Sequence, residues 1–218
     1  MTHDKKVLLG KLLKAEYGIV KTETLNKNGF SSRDIKWLID GGRLERIKQG
    51  YYIGKNQDIS DIEVAANLIP MGVLCLFSAM EFYELAMVNP SEICIALPRG
   101  TTCPILPSTL FVKIYHMTES HFKAGITEME VNGTMIRIYD IEKTVCDGFK
   151  YDSEIEKGIA LEVLKNYIAR GNCNIQKLLK YAELLGKKKN NLSLCGGTYM
   201  INNNVVSIRA KLKNIADN

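Results

Sequence analysis

Three kinds of residue in this chain have the chemistry for catalysis or metal binding, and their spacing argues against both. His116 and His121 lie five positions apart. That interval does not put two imidazoles on one helix face, and no cysteine stands nearby to complete a zinc set. The six cysteines (Cys75, Cys94, Cys103, Cys146, Cys173 and Cys195) are scattered singly, mostly beside apolar residues, with no Cys-x-x-Cys pair. They read as reduced, small apolar thiols, which points to a cytoplasmic location. Gly196-Gly197-Thr198 has the look of a nucleotidyltransferase entry turn, yet only Asp217 follows it and no Asp-x-Asp pair is there to hold magnesium. A nucleophile elbow, a P-loop and a dinucleotide fingerprint are all missing from the sequence. No catalytic residue, no metal and no cofactor is expected.

The chemistry that remains is cationic. Residues 1–55 hold twelve Lys and Arg against six Asp and Glu, whereas the rest of the chain holds 17 against 18. A basic first quarter attached to a near-neutral body suits attraction to a polyanion. Within it, Arg33 and Lys36 are placed to reach base edges or nearby phosphates, and Ser32 to meet a phosphate at a helix N-terminus. Arg43, Arg46 and Lys48 would hold the sugar-phosphate backbone.

Positioning those six residues requires a small helical unit. Residues 5–17 carry apolar side chains at helical spacing and stop at Gly18. A short helix is expected over 22–28, capped by Thr22 and ended by Asn28-Gly29. A third helix, over 31–40, opens on a Ser-x-x-Asp capping pattern and buries Ile35, Leu38 and Ile39. Ser32, Arg33, Lys36, Trp37 and Asp40 are then left on its outer side. Residues 43–48 and 51–53, joined by Gln49-Gly50, read as a basic hairpin. Trp37 either fills the gap between the third helix and this hairpin or stacks near a nucleic-acid backbone. Three helices and a hairpin make a winged helix-turn-helix over residues 1–57, a shape whose third helix enters the major groove of DNA.

The remainder, residues 58–218, reads as a larger domain. Helices are expected over 61–69 and 72–85. Strands follow at 92–97, 109–117, 126–131 and 134–139, with Asn132-Gly133 as a hairpin turn. Three more helices are expected over 141–151, 153–170 and 174–186. The fold class is therefore α+β: a winged helix-turn-helix, then a larger α+β domain with a small, mainly antiparallel sheet packed by helices. The tail at 187–218 is poorly defined, its basic stretch at 209–213 being either a solvated helix or a further phosphate contact. At 218 residues the longest apolar run, near 72–77, is too short to cross a bilayer, and no signal-peptide core follows the N-terminus. No membrane partner is expected.

Several segments together carry a family likeness. They are Arg46-Ile47-Lys48-Gln49-Gly50-Tyr51-Tyr52, Phe77-Ser78-Ala79, Ala96-Leu97-Pro98-Arg99-Gly100 and, most specific, the Tyr-x-x-Glu-Lys-Thr-x-x-Asp run at 139–147. Over roughly residues 5–186 the chain resembles the AbiEi antitoxins of abortive-infection toxin–antitoxin systems. The resemblance implies a bacterial, phage-defence protein of the type IV class. Its winged domain would bind operator DNA with inverted repeats and repress its own operon. Its C-terminal domain would antagonise a nucleotidyltransferase-like toxin without a stable complex. Arg99, Arg137, Glu142, Lys143 and Asp147 are the candidate functional surface of that domain, with capping and internal ion pairing as the plainer account of them. Two other readings stand beside this one: a ligand-responsive winged-helix regulator without a toxin partner, and a nucleic-acid-modifying enzyme with a site of unfamiliar pattern.

Overall fold

The computed structural model describes residues 2–55, 57–88 and 90–185. The expectations for 187–218, including Cys195 and Gly196-Gly197, lie outside the described residues. The fold is α+β. Its first helix, α1 (His3–Ala15), ends where Tyr17 and Gly18 both take positive φ (48° and 86°). Two left-handed residues in succession reverse the chain into a short strand, β1 (Ile19–Lys21). α2 (Thr22–Lys27) and α3 (Ser32–Asp40) follow, then β2 (Leu44–Lys48) and β3 (Tyr51–Gly54). Thr22 proves to be the first residue inside α2 rather than its cap. The three strands form an antiparallel sheet in the order β1-β3-β2.

Beyond residue 60 the chain runs α4 (Asp61–Leu68), β4 (Val73–Leu74), α5 (Leu76–Phe82), β5 (Ile93–Pro98), β6 (Val112–Met117) and α6 (Glu119–Lys123). It continues through β7 (Ile126–Val131), β8 (Thr134–Tyr139), α7 (Ile141–Lys150), α8 (Lys157–Ala169) and α9 (Ile175–Leu185). The five strands order as β6-β5-β4-β8-β7. β4–β5 and β7–β8 pair antiparallel, whereas β5–β6 and β4–β8 pair parallel. The sheet is thus mixed, not mainly antiparallel. The reason is β4, a two-residue strand hidden in an apolar run that reads as one helix from 72 to 85. It lies between β5 and β8 and so joins two pairs that the sequence order keeps apart.

Asn132 and Gly133 both have positive φ (49° and 86°), which gives the β7–β8 hairpin the primed turn that matches strand twist. Both helix starts with a Ser-x-x-acid pattern carry complete capping boxes, Ser31 with Asp34 and Ser60 with Glu63.

The apolar interior of the described residues falls into several clusters, two of them on opposite faces of the first sheet. Leu9, Val20, Leu25, Phe30, Ile35, Leu38, Leu44 and Tyr52 close the space between α1–α3 and the first sheet. The opposite face of that sheet, through Ile19, Ile47 and Tyr51, packs with Val64, Leu68, Ile95 and Leu97 of the second unit. Each fully buried side chain of this size contributes about 1.5–3 kcal/mol. The stretch after β3 is pinned rather than slack: Ile59 joins that shared cluster and lies against Gly18. The Tyr17 ring lies directly on Gly133, and Asn132 donates to Glu63 at 3.2 Å, so the β7–β8 turn is tied to the start of α4 and the end of α1. Helices α5, α7 and α8 enclose the largest cluster, around Leu76, Met80, Tyr139 and Tyr167.

Among the described residues, no helix is long and apolar enough to cross a membrane. Cys75, Cys94 and Cys146 are buried free thiols, and Cys103 and Cys173 are free and half-buried.

Candidate nucleic-acid interface

The start of α3 is built from side chains that neutralise one another. Ser31 Oγ accepts from the Asp34 backbone N–H, and the Asp34 carboxylate accepts from the Ser31 N–H at 2.9 Å and from Lys5 Nζ at 2.6 Å. Lys5, then the two Ser31 donors, hold the Asp34 carboxyl well below the usual carboxylate range. A carboxylate here would repel a phosphate approaching the helix N-terminus, and the Lys5 ammonium cancels it. Ile35 and Leu38 face the core, while Ser32, Arg33, Lys36, Trp37 and Asp40 are all exposed. Arg33 and Trp37, four apart, and Lys36 beside them form one continuous patch.

The hairpin divides its cations. Arg46 pairs in register with Tyr52, whose ring belongs to the helix-side core, so Arg46 stands on the same face of the sheet as α3 and is exposed. Arg43 is exposed in the turn that links α3 to β2. Lys48 departs from the expectation. A β-bulge between Arg46 and Lys48 inserts an extra residue and places Lys48 opposite Tyr51, on the other face of the sheet. There it is half-buried, 4.6 Å from the Tyr51 ring centre, with Lys21 5.6 Å from the same ring. Burial lowers the Lys48 ammonium's pKa, Cys103 opposes that shift and Lys21 adds to it. Ser32, Arg33, Lys36, Arg43 and Arg46 are therefore all exposed, whereas Lys48 is half-buried on the far face of the sheet.

Sequence reasoning missed one neighbour of the α3 patch, Lys6, and one of Lys48 on the far face, Lys21. Lys6 lies 5.4 Å from the Trp37 ring centre, so Trp37 meets α1. Lys21 sits on β1, a strand too short to show an alternation. A Lys5-Lys6 pair at the foot of an amphipathic helix was the available signal for the first; none was available for the second.

The candidate surface in the second unit is a surface only in part. Arg99 is exposed and Arg137 half-buried, its guanidinium donating to the Met71 carbonyl at 2.9 Å. Lys143 and Asp147 are fully buried and Glu142 nearly so, which corrects their expected exposure. Lys143 Nζ donates to both Asp147 oxygens at 2.7 and 2.6 Å, with the Tyr139 ring centre 4.2 Å away. Burial pushes the Asp147 carboxyl up against the pull of Lys143. Thr144 is buried and donates to the Asp140 carbonyl at 2.9 Å. Asp140 caps α7 through the Lys143 N–H and accepts from Tyr181, and Glu142 accepts from Tyr167 at 3.0 Å. Lys177 of α9 reaches both carboxylates at 3.1 Å. The 139–147 run is thus a pin that fastens α7 to α8 and α9.

His116 Nδ1 lies 3.4 Å from the Pro98 carbonyl, and His121 Nδ1 lies 2.8 Å from Lys150 Nζ. Burial first, then the Lys150 charge, lowers the His121 imidazole below its usual value. No three His, Cys, Asp or Glu side chains gather into a metal-sized cluster among the described residues. Asp61, Glu81 and Glu92 line an open cleft in the second unit, a surface of sign opposite to that of α3.

No family model matches the chain, and neither does any curated protein. Among solved structures it is similar to the RV2827C protein from Mycobacterium tuberculosis, with a TM-score of 0.56 at 14% identity. The likeness covers 86% of this chain and 78% of that one. At such identity it speaks to the fold.

Proposed function

We propose that this protein is a DNA-binding antitoxin of a bacterial toxin–antitoxin system, residues 1–57 forming a winged helix-turn-helix and residues 58–218 the antitoxin domain. The observation that supports the DNA half is the exposure of Ser32, Arg33 and Lys36 on α3, of Arg43 in the turn after it, and of Arg46 on the hairpin face toward α3. α3 enters the major groove, whose width admits a helix. Arg33 and Lys36 reach base edges or nearby phosphates. Ser32 meets a phosphate at the helix start, where Lys5 has already cancelled Asp34. Arg43 and Arg46 hold the adjoining backbone. Two copies on inverted repeats would repress the protein's own operon.

The antitoxin half is supported by the family resemblance. It makes the opponent a nucleotidyltransferase-like toxin from a neighbouring gene, countered without a stable complex. The 139–147 run serves this half by holding the second unit in shape. Arg99 is the member of the expected set that lies open to solvent. Co-expression with the adjacent reading frame tests this half: relief of growth arrest is expected, and arrest that persists with the chain present would remove it.

A further inference from the structure

Trp37 is the only tryptophan of the chain, and 42% of its surface is exposed on α3. An indole left this open gives up the burial that usually accounts for a tryptophan's place in a fold. Its neighbours are informative. Lys5 and Lys6, successive residues of α1, both reach toward α3 but meet different things. Lys5 is bound to the Asp34 carboxylate at 2.6 Å and lies 5.7 Å from the Phe30 ring centre, so its charge is matched. Lys6 meets the Trp37 ring, and the contact leaves its positive charge undiminished. Along α3, Trp37 stands one turn beyond Arg33 and next to Lys36, so the indole continues the basic patch and carries it onto the foot of α1.

Such a pair has two ends. The ammonium attracts an oxyanion, and the indole presents a flat apolar surface with Lys6 beside it. A nucleic-acid backbone alternates the matching chemistry, a phosphate and then the apolar side of a deoxyribose. A base step would need the ring to insert edge-first between stacked pairs, and the Lys6 ammonium next to it favours the backbone instead.

We propose that Lys6 and Trp37 form a clamp for one sugar-phosphate strand of the DNA that α3 enters, so that α1 as well as the hairpin grips the duplex. This rests on the DNA reading above and extends it to a third element. α1 and the hairpin then both support α3 in holding the duplex.

The single tryptophan makes the test direct. The full chain is titrated with a short synthetic duplex copied from the region upstream of its own gene. Binding is followed by the anisotropy of a dye on the DNA, and Trp37 by its emission and its quenching by acrylamide. Binding accompanied by a fall in acrylamide access in step with the bound fraction is the expected result. In parallel, Lys6→Gln should lower the slope of log affinity against log salt by about one and weaken upstream and scrambled duplexes alike. Binding with the indole as open to acrylamide as in the free protein, or a Lys6→Gln slope equal to the parent's, overturns the clamp and leaves the α3 reading in place. Failure to bind any duplex at low salt overturns both. The tryptophan measurement uses the unaltered chain, so the outcome does not depend on how the variant folds.

Discussion

Replacing Asp147 by alanine removes one half of an ion pair that water does not reach. Lys143 and Asp147 are both fully buried, bonded through 2.7 and 2.6 Å contacts. At an effective dielectric of about 20 their attraction is roughly 5 kcal/mol. Taking each ion out of water costs several kcal/mol, so the pair as a whole adds little net stability. Either ion alone is another matter. Asp147→Ala strands an ammonium among Tyr139, Cys75 and Cys146 and is expected to cost about 3–5 kcal/mol. That is a large part of the roughly 5–15 kcal/mol that holds a typical domain folded. Replacing both, Lys143→Met with Asp147→Leu, removes the two charges at similar volume and should return stability to within about 2 kcal/mol of the parent. Urea unfolding followed by far-ultraviolet circular dichroism measures all three proteins. A loss below about 1 kcal/mol for Asp147→Ala, or a double variant as unstable as the single one, would refute the reasoning. Because the 139–147 run acts through shape, the double variant should also keep its relief of toxin-induced growth arrest.

Two other perturbations probe the N-terminal unit. The Asp34 carboxyl is held below its unfolded value, so its charged form stabilises the fold. That contribution is whole above the unfolded value of about 4 and is lost as the pH falls from there toward the folded one. Thermal melts should therefore show the parent losing more stability than Asp34→Asn between about pH 5 and pH 3, and equal losses would contradict the cap-and-Lys5 account. Gly133 and Gly29 both have positive φ, at 86° and 80°, but an added methyl group meets the Tyr17 ring at the first and open space at the second. Gly29→Ala should cost about 1 kcal/mol from backbone strain alone and Gly133→Ala about 2–3 kcal/mol. Similar urea midpoints for the two would mean that Tyr17 moves aside freely and does not tie α1 to the β7–β8 turn.

What could be read from the sequence was what local chemistry decides. The Ser31 cap, the Asn132-Gly133 turn, the buried face of α3 and the uneven charge all follow from residues a few positions apart. β1 and β4 escaped because three and two residues cannot display a period. The parallel pairings escaped because they join β4 to β8 and β5 to β6 across long stretches of chain. Lys48 was misplaced by one inserted residue: in an unbroken strand, 44, 46 and 48 share a face, and the bulge turns 48 to the other. For Lys143 and Asp147 the sequence offers both a functional surface and internal ion pairing. The clue was their spacing, since a Lys and an Asp four apart on a helix can satisfy each other and so be buried together.

The central claim, that α3 and its hairpin read DNA, is tested most directly by anisotropy titration of a duplex from upstream of the gene against a scrambled one, over a range of salt. The parent should prefer the upstream duplex. Arg33→Ala should lose about 1–3 kcal/mol of that preference, whereas Arg46→Ala should weaken both duplexes equally and flatten the salt slope by about one. A parent that binds neither duplex at low salt, or an Arg33→Ala protein with affinity and preference unchanged, would contradict the account.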